Sequence, residues 1–337
     1  MEEPQDYYNF DAASKPEGNT IDLSTEPDEL HKRLSLKSSI KYFFIRNTVL
    51  GIGKLAAVLP ERLTYKACVG LSMIVYKRLP KFRKLARKHL EIAFGQEKSP
   101  EEIDDILRRT YINYGKNFAE FLMIPHKSKE WVESKVTFND PNWTIRTALN
   151  NGKGVIGLGG HFGSWELVAA RLGIYKYPIV AVVKAQRDAL ISKFIMDTRT
   201  KWGNEYIFRV KGIKEECISQ LAQNKILGLM ADQNASRSGI FVDFFGKQAA
   251  TFTGPAYFAM KTGAPVIPSF PARNPDDTIT LYVLEPLKII DTGNFEADLP
   301  ANVQLCAKAV EDFARKHPSE YFWWHQRWKT RPGGIKK

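Results

Sequence analysis

Short apolar segments alternate with helix-length segments from about residue 130 to the end of the chain. Seven apolar runs are short enough to be strands, and they lie at 135–138, 154–159, 178–183, 206–210, 226–231, 265–270 and 279–284. Helix-length segments fall at 142–150, 164–174, 187–202, 212–224, 253–262 and 300–316. Strands that alternate with helices form a mainly parallel sheet flanked by helices. The sequence therefore predicts an α/β domain over residues 131–337.

The segment that precedes this domain is strongly apolar but is interrupted by charges. A transmembrane helix needs about 20 mostly apolar residues, whereas the longest charge-free stretch between residues 40 and 76 is Ala67–Tyr76. Two amphipathic helices, roughly 38–58 and 62–79, are therefore the better prediction. Such helices either lie in a membrane interface, with Lys and Arg reaching the headgroups, or pack on the core. We expect residues 35–130 to form a membrane-associated helical region.

Charge is distributed unevenly along the chain. The net charge is +12, but residues 1–30 hold nine acids and one base, so the remainder carries +20. A body this basic favours an anionic partner, namely nucleic acid, anionic lipid or an acidic protein, although a solvated basic surface is also common. Lys and Arg concentrate on the amphipathic segment 77–94, which is followed by a helix predicted over 99–125. Residues 1–34 are predicted to be an acidic disordered tail.

A histidine and a glutamate stand where a predicted strand passes into a predicted helix, in "GLGGHFGSWELVAA" (157–170). Ligands of open α/β sheets bind beyond the carboxyl ends of the strands, which is where His161 lies. On one continuous helix His161 and Glu166 would point about 140° apart. They can meet if Gly163 permits a turn and Ser164 caps the helix. Glu166 would then orient the imidazole, and His161 would be a general base for a hydroxyl group.

Several other kinds of site find no support in the sequence. The six histidines show no metal-binding spacing, and the three cysteines are dispersed, as expected for a reducing compartment. Neither a Walker A motif nor GxSxG occurs. We therefore expect no metal, no nucleotide, no covalent serine and no cofactor. His325 is interpreted as structural, and His31, His89, His126 and His317 as surface or helix residues.

The His161 segment resembles the H-x4-D/E signature of the glycerolipid-type acyltransferase superfamily. Three further segments resemble the lipid A late acyltransferases: residues 230–270, which begin "MADQN", the ending "WWHQRWKTRP" at 323–332, and "RKHLEIAFG" at 87–95. In the last segment His89 and Gly95 replace the usual Asn and Pro. The resemblance covers roughly residues 40–332.

The resemblance implies acyl transfer from an acyl carrier protein thioester to a hydroxyl of a lipid A precursor. His161 would be the base and Glu166 its orienter. Expected substrate contacts are Lys184, Arg187, Arg199, Asp232, Gln233, Arg327 and Lys329. The expected acyl channel is lined by Trp165, Phe244 and Phe245. The expected location is the cytoplasmic face of the bacterial inner membrane, as a peripheral or monotopic protein.

The acceptor is less firmly implied than the chemistry. The "MADQN" segment stands where acyltransferases of the glycerol-phosphate branch carry Glu-Gly-x-Arg, which argues against lysophosphatidic acid. One alternative is another glycolipid or an amino-acid lipid, acylated from acyl-CoA or acyl carrier protein. A second alternative is a basic membrane-surface binding protein without enzymatic activity. Nucleic-acid binding is disfavoured because no nucleic-acid-binding motif accompanies the charge.

Overall fold

The computed structural model describes residues 36–184, 186, 188–208 and 212–333. For residues 36–46 and 189 it describes the backbone but not the side chain. The predicted acidic tail and Arg187 lie outside the described residues.

A seven-stranded sheet forms the centre of the α/β part. The strands of this sheet are β1 (Val136–Asn139), β2 (Val155–Gly159), β3 (Ile179–Val183), β4 (Glu205–Phe208), β5 (Ile226–Met230), β8 (Val266–Arg273) and β9 (Ile279–Val283). Their order across the sheet is β1-β9-β8-β2-β5-β3-β4. All neighbours are parallel except β8 and β9, which form an antiparallel pair. The prediction of a mainly parallel sheet flanked by helices is confirmed.

Helices cover both faces of the sheet. They are α5 (Lys129–Lys135), α6 (Thr144–Leu149), α7 (Trp165–Ile174), α8 (Ala189–Thr200), α9 (Ile213–Ala222), α10 (Gly254–Thr262) and α11 (Phe295–Lys316). Successive side chains of a strand point to opposite faces. Accordingly, Ile156 and Leu158 of β2 pack in one core cluster with residues of α9, α10 and α11. Val155 packs in the other, with residues of α5, α6 and α7.

Four helices precede the α/β part: α1 (Leu36–Val58), α2 (Glu61–Arg78), α3 (Pro80–Phe94) and α4 (Pro100–Met123). A capping box at Ser99 starts α4, because the Ser99 side chain accepts from the Glu102 amide and the Glu102 carboxylate accepts from the Ser99 amide. Helices α2 and α4 are in close contact: a Cβ at Gly115 would lie 2.8 Å from the Val69 Cα. Leu90 of α3 and Leu107 of α4 lie in one core cluster with Ile156 of β2, so α3 and α4 pack on the α/β part.

The outer side of α1, α2 and α3 exposes large apolar side chains: Leu55, Val58, Leu63, Leu71, Ile74, Leu79 and Phe82. Among the helices in the described part of the chain, none combines the length and apolar composition needed to cross a bilayer.

The sequence did not predict the hairpin of β6 (Ile240–Phe244) and β7 (Lys247–Thr251). Its two-residue turn, Phe245–Gly246, has positive φ at both positions, as a type I′ turn requires. Asn or Asp is the usual first residue of such a turn. Phe245 stands there instead, so the sequence lacks the Asn-Gly or Asp-Gly pattern that predicts a hairpin. The interpretation of His89 as a surface or helix residue is wrong about the surface: His89 is buried on α3, and its Nδ1 lies 2.7 Å from the Trp323 carbonyl oxygen.

A candidate active site at the carboxyl end of the sheet

The predicted histidine lies at the carboxyl end of a central strand. His161 follows β2, and Asp232 follows β5, its parallel neighbour. The ladder between the two strands pairs Gly159 with Met230, two residues before His161 and Asp232 respectively. Because carboxyl ends of neighbouring parallel strands meet at one edge, the two side chains emerge side by side.

Asp232 holds the imidazole through two hydrogen bonds. Its Oδ1 lies 2.8 Å from Nδ1 of His161, and its Oδ2 accepts from the His161 backbone N–H at 3.0 Å. The expected His161–Glu166 contact is corrected here, because Asp232 takes the position of the orienting carboxylate. Asp232 is 2% exposed and the His161 side chain 23%. The ring is therefore anchored at Nδ1 by a buried carboxylate and is itself partly exposed.

Glu166 instead pairs with Arg199 of α8. Arg199 Nε donates to both carboxylate oxygens of Glu166, at 3.1 and 3.0 Å, and its Nη2 donates a further bond to Oε1. The Trp165 indole N–H also donates to Glu166, at 3.1 Å. Glu166 lies in the first turn of α7. Arg199, an expected substrate contact, has its Nε and Nη2 engaged by Glu166, and its contact with substrate stays a prediction.

The surrounding carboxylates set the protonation of His161. Burial by itself would lower the pKa of the imidazole, but the charge and hydrogen bond of Asp232, together with the charge of Glu166, raise it overall. Burial would raise the pKa of Asp232, yet the bonds from His161 lower it. Asp232 thus stays ionised beside the ring, which fixes the proton on Nδ1 and leaves Nε2 as the basic nitrogen.

A tight turn directly follows the histidine. Gly163 has φ +40°, and a Cβ there would lie 3.1 Å from the Pro271 carbonyl oxygen, so glycine is required. Asn117 of α4 donates to the Gly163 carbonyl at 2.8 Å, and the Tyr114 hydroxyl donates to the His161 carbonyl at 2.9 Å. Ser164 precedes α7 as predicted, but its side chain makes no cap hydrogen bond.

Two side chains bracket the imidazole ring. The Trp165 indole meets it edge-on, with ring centroids 5.2 Å apart. The Gln233 amide nitrogen lies 3.5 Å from Nδ1 and 3.4 Å from Nε2. Trp165, Glu166, Arg199, Asp232 and Gln233 are thus the predicted residues that the structure brings around His161.

The remaining predicted phosphate contacts lie elsewhere. Arg327 is 2% exposed, and it donates to the Ala250 carbonyl at 2.6 Å and to the Thr251 hydroxyl. The prediction that Arg327 binds substrate is therefore corrected: burial removes its guanidinium from solvent. Lys184 and Lys329 are exposed, and neither forms an ion pair with another described residue.

The two phenylalanines predicted to line an acyl channel belong to the core. Phe244 is 1% exposed and Phe245 5%. Phe244 packs against the ring of Trp328 at 5.8 Å, and Phe245 packs edge-on against Phe94 at 5.4 Å. The channel prediction is corrected for both, because aromatic side chains fill the space around them.

The sequence did not point to the buried residues that support the turn at 161–164, which we call the catalytic turn. Glu120 and Arg273 form a fully buried ion pair, and Arg273 also donates to Asn117 at 2.6 Å. Glu320 lies against Gly163, and burial raises the pKa of its carboxyl to about 7. Charged residues within apolar helix or strand patterns are the only sequence signal for such a cluster. His325 is structural as predicted: its Nε2 accepts from the Asn234 amide at 2.9 Å.

The arrangement suits proton transfer to and from a hydroxyl group. A partly exposed imidazole is backed at Nδ1 by a buried carboxylate, which is the geometry of a general base. Among the described residues, no group of three His, Cys, Asp or Glu side chains is placed to hold a metal ion.

Comparison with known proteins gives a consistent result. A family model described as bacterial lipid A biosynthesis acyltransferase matches residues 32–330. The chain is 27% identical over 303 residues to the lipid A biosynthesis lauroyltransferase of Escherichia coli (strain K12), covering 86% of this chain and 93% of that protein. It is 25% identical over 259 residues to the lipid A biosynthesis palmitoleoyltransferase of the same organism, covering 74% of this chain and 79% of the relative.

A relative with another acceptor in its name also matches. The phosphatidylinositol mannoside acyltransferase of Mycolicibacterium smegmatis is 26% identical over 186 residues. The match covers 54% of this chain and 60% of that protein.

Proposed function

The chain belongs to the bacterial lipid A biosynthesis acyltransferase family and is an acyl-transferring enzyme, and from this premise we propose that it moves a fatty acyl chain from acyl carrier protein thioester to a hydroxyl of a lipid A precursor. The observation that carries the chemistry is the 2.8 Å contact between Asp232 and Nδ1 of His161 at the carboxyl end of the sheet. Because the chain belongs to a family of acyltransferases, the alternative of a membrane-surface binding protein without enzymatic activity is set aside.

The proposed reaction proceeds through general base catalysis by Nε2 of His161. The acceptor hydroxyl gives its proton to Nε2 while its oxygen attacks the thioester carbonyl carbon. The tetrahedral oxyanion then expels the thiolate, which takes the proton back from the imidazolium. Asp232 and Glu166 stabilise that imidazolium because both raise the pKa of His161. In the first turn of α7 the Leu167 and Val168 amides donate to the Ser164 carbonyl. The Trp165 and Glu166 amides are therefore the ones that suit the oxyanion.

The residues around the base receive distinct proposed roles. Arg199 acts through Glu166, since it fixes that carboxylate by three hydrogen bonds. Gln233 and Trp165 flank the ring and would contact the reacting groups. Lys184, which follows β3 at the same edge of the sheet, and Lys329 are free to meet acceptor phosphates. Arg187 remains predicted to contact acceptor phosphates.

The exposed side of the first three helices is proposed to rest on the membrane. This apolar–basic face comprises the seven exposed apolar residues of α1, α2 and α3 given above together with the Lys and Arg side chains among them. Between residues 47 and 90 the chain has ten Lys and Arg and a single acid, Glu61. Glu61 is itself paired with Lys135 at 2.8 Å. One of these bases, Arg87, is paired with Glu91 and Asp104. The remaining excess of positive charge beside the apolar side chains suits anionic headgroups of the cytoplasmic leaflet.

The same charge supports the proposed donor. An acidic acyl carrier protein would be steered towards a body that carries +20 outside the first 30 residues. Similarity to a phosphatidylinositol mannoside acyltransferase favours one alternative acceptor, a mannosylated phospholipid acylated by the same chemistry.

Acyl transfer by purified protein in detergent tests the proposal. Acyl carrier protein thioesters of several chain lengths would be offered with a tetra-acylated lipid A precursor or a phosphatidylinositol mannoside, and products identified by mass spectrometry. We expect the lipid A precursor to gain one acyl chain. We expect this gain to disappear in His161→Ala and to persist in His126→Ala, a matched variant of an exposed histidine. Transfer to the mannoside alone would replace the acceptor, and transfer by His161→Ala would refute the mechanism.

A further inference from the structure

The C-terminal segment 320–328 contacts both strand ends that build the candidate site. We call it the C-terminal clamp. It follows α11 and has short hydrogen-bonded turns rather than a regular helix or strand. Aromatic residues make up most of it, and its residues at 321, 323 and 328 are buried.

One side of the clamp pairs with the catalytic turn. The Gly163 amide donates to the Glu320 carbonyl at 3.0 Å, and the Phe322 amide donates to the His161 carbonyl at 3.0 Å. Phe162 and Tyr321 form the bridge between these two bonds. The backbone that carries the base is therefore held by the clamp on both sides of Phe162.

The other side of the clamp holds the loop that carries Asp232. The Tyr321 hydroxyl donates to the Asp232 carbonyl at 3.2 Å. His325 accepts from the Asn234 amide at 2.9 Å, and Arg327 donates to the Gln233 carbonyl at 3.4 Å. Three consecutive residues after β5 are thus each bonded to the clamp.

Tyr321 joins the two sides. Its ring packs against Phe162 at 5.0 Å, its hydroxyl bonds Asp232, and its side chain is almost fully buried. The main-chain pairing of β2 and β5 ends with a long bond, 3.4 Å from the Ala231 amide to the Gly159 carbonyl. Beyond that bond, the spacing between the segments that follow β2 and β5 depends on side-chain contacts.

We infer that Tyr321 is a positioning residue for the reaction: it spaces the ends of β2 and β5 so that Asp232 keeps its hydrogen bonds to His161. This inference rests on the proposed function, because it assigns Tyr321 to the same site. A misplacement of the order of 1 Å in supporting structure can reduce a rate about 10²-fold. Loss of one supporting bond should act more mildly, through a looser Asp232.

The test compares Tyr321→Phe with the matched variant Tyr282→Phe. Phenylalanine keeps the ring that packs on Phe162 and removes only the hydroxyl. Tyr282 is a half-buried tyrosine. Its ring packs on Phe313 of α11 and on His317, the residue that follows α11. We expect Tyr321→Phe to lower kcat about 3- to 10-fold with KM unchanged, and Tyr282→Phe to match the wild type.

A second measurement reads the same spacing without any substrate. NMR of the ¹³C-labelled histidines gives the pKa of His161, with the resonance assigned by its loss in His161→Ala. Asp232 and Glu166 raise that pKa, while Arg199 lowers it. We expect the pKa to fall by about 0.5–1 unit in Tyr321→Phe, because a looser Asp232 supports the imidazolium less. The NMR titration is needed because Glu320, with a pKa of about 7, titrates in the same range and would shape a pH–rate profile.

The outcomes separate the inference from the proposed function. A lower kcat together with a lower pKa of His161 supports the positioning role. A fall in thermal midpoint alone, a change in KM alone, or a lower kcat with an unmoved pKa would each overturn it. If no acceptor is acylated even by the wild type, the proposed function fails, and the pKa of His161 still decides whether Tyr321 positions Asp232.

Discussion

Two arginine–glutamate pairs lie near the catalytic turn, and they differ mainly in burial. Glu166 and Arg199, on the open side, retain 15% and 21% side-chain exposure, whereas Glu120 and Arg273, behind the turn, retain 0% and 3%. Both arginines donate to both oxygens of their partner. The open pair raises or lowers the pKa of His161 by its charges, and the buried pair reaches the turn through Asn117.

From this difference we expect the open pair to serve the chemistry and the buried pair to serve the scaffold. A buried ion pair loses the hydration of both charges, so removal of one partner leaves a charge that water cannot compensate. The partly exposed pair keeps some access to water, so its loss costs the fold less. Because the charges of this pair act on His161, we expect its loss to slow the reaction instead. The following predictions test this division, from the largest expected effect to the smallest.

Removal of the buried carboxylate should destabilise the protein most. Glu120→Gln leaves Arg273 charged and without its carboxylate, so the free energy of unfolding should fall by about 3–5 kcal/mol. Chemical denaturation followed by fluorescence measures the change. Asp197→Asn, which breaks the exposed Lys193–Asp197 pair on α8, is the control and should have little effect. Equal effects of the two variants would contradict a scaffold role for the buried pair.

Removal of the open carboxylate should reduce activity more than stability. Glu166→Gln removes a charge that raises the pKa of His161 and frees Arg199, so we expect acyl transfer to slow by about 10- to 100-fold. The free energy of unfolding should fall by less than in Glu120→Gln, because Arg199 keeps 21% side-chain exposure. Steady-state transfer kinetics and denaturation on the same preparation give both numbers. A variant that unfolds easily but turns over normally would reverse the assignment of the two pairs.

Glu320→Gln should make the protein more stable at alkaline pH. Burial raises the pKa of the Glu320 carboxyl from its usual 4.5 to about 7, so its ionisation is less favourable in the folded state. The wild type therefore loses stability as the pH rises from about 4.5 through 7, and the full penalty persists above that. Glutamine cannot ionise, so we expect a gain of about 1–3 kcal/mol at pH 8 and none at pH 4. Thermal unfolding at both pH values measures it, and an equal gain at each would point to packing instead.

Much of the fold could be predicted because its signals are local. Strand 154–159 and helix 164–174 were located to within about one residue, since apolar runs and punctuating glycines are read directly from neighbouring positions. The antiparallel pairing of β8 and β9 was also open to prediction, because their connection has only five residues and begins Asn274-Pro275, whereas a parallel pair needs a crossover of a dozen or more residues. The β6–β7 turn was not, because Phe245 stands where such a turn usually has Asn or Asp.

The site was only partly predictable because its decisive contacts are distant in sequence. His161 was found from its place after a strand, and Glu166 was assigned to it because it is near in the chain. The carboxylate that binds Nδ1, Asp232, is 71 residues away and reaches the ring through adjacency of β2 and β5. Arg327 carries the same charge as a phosphate-binding arginine, and only tertiary packing reveals that it is buried.

The rate of acyl transfer by Asp232→Asn tests the central claim most directly. Asparagine preserves the size of the side chain but removes the charge and favours the wrong imidazole tautomer. We predict a kcat reduced by about 10²- to 10⁴-fold, close to that of His161→Ala, with KM little changed. If Asp232→Asn turns over at the wild-type rate while Glu166→Gln is inactive, then Glu166 orients the base, and the account of this site is wrong.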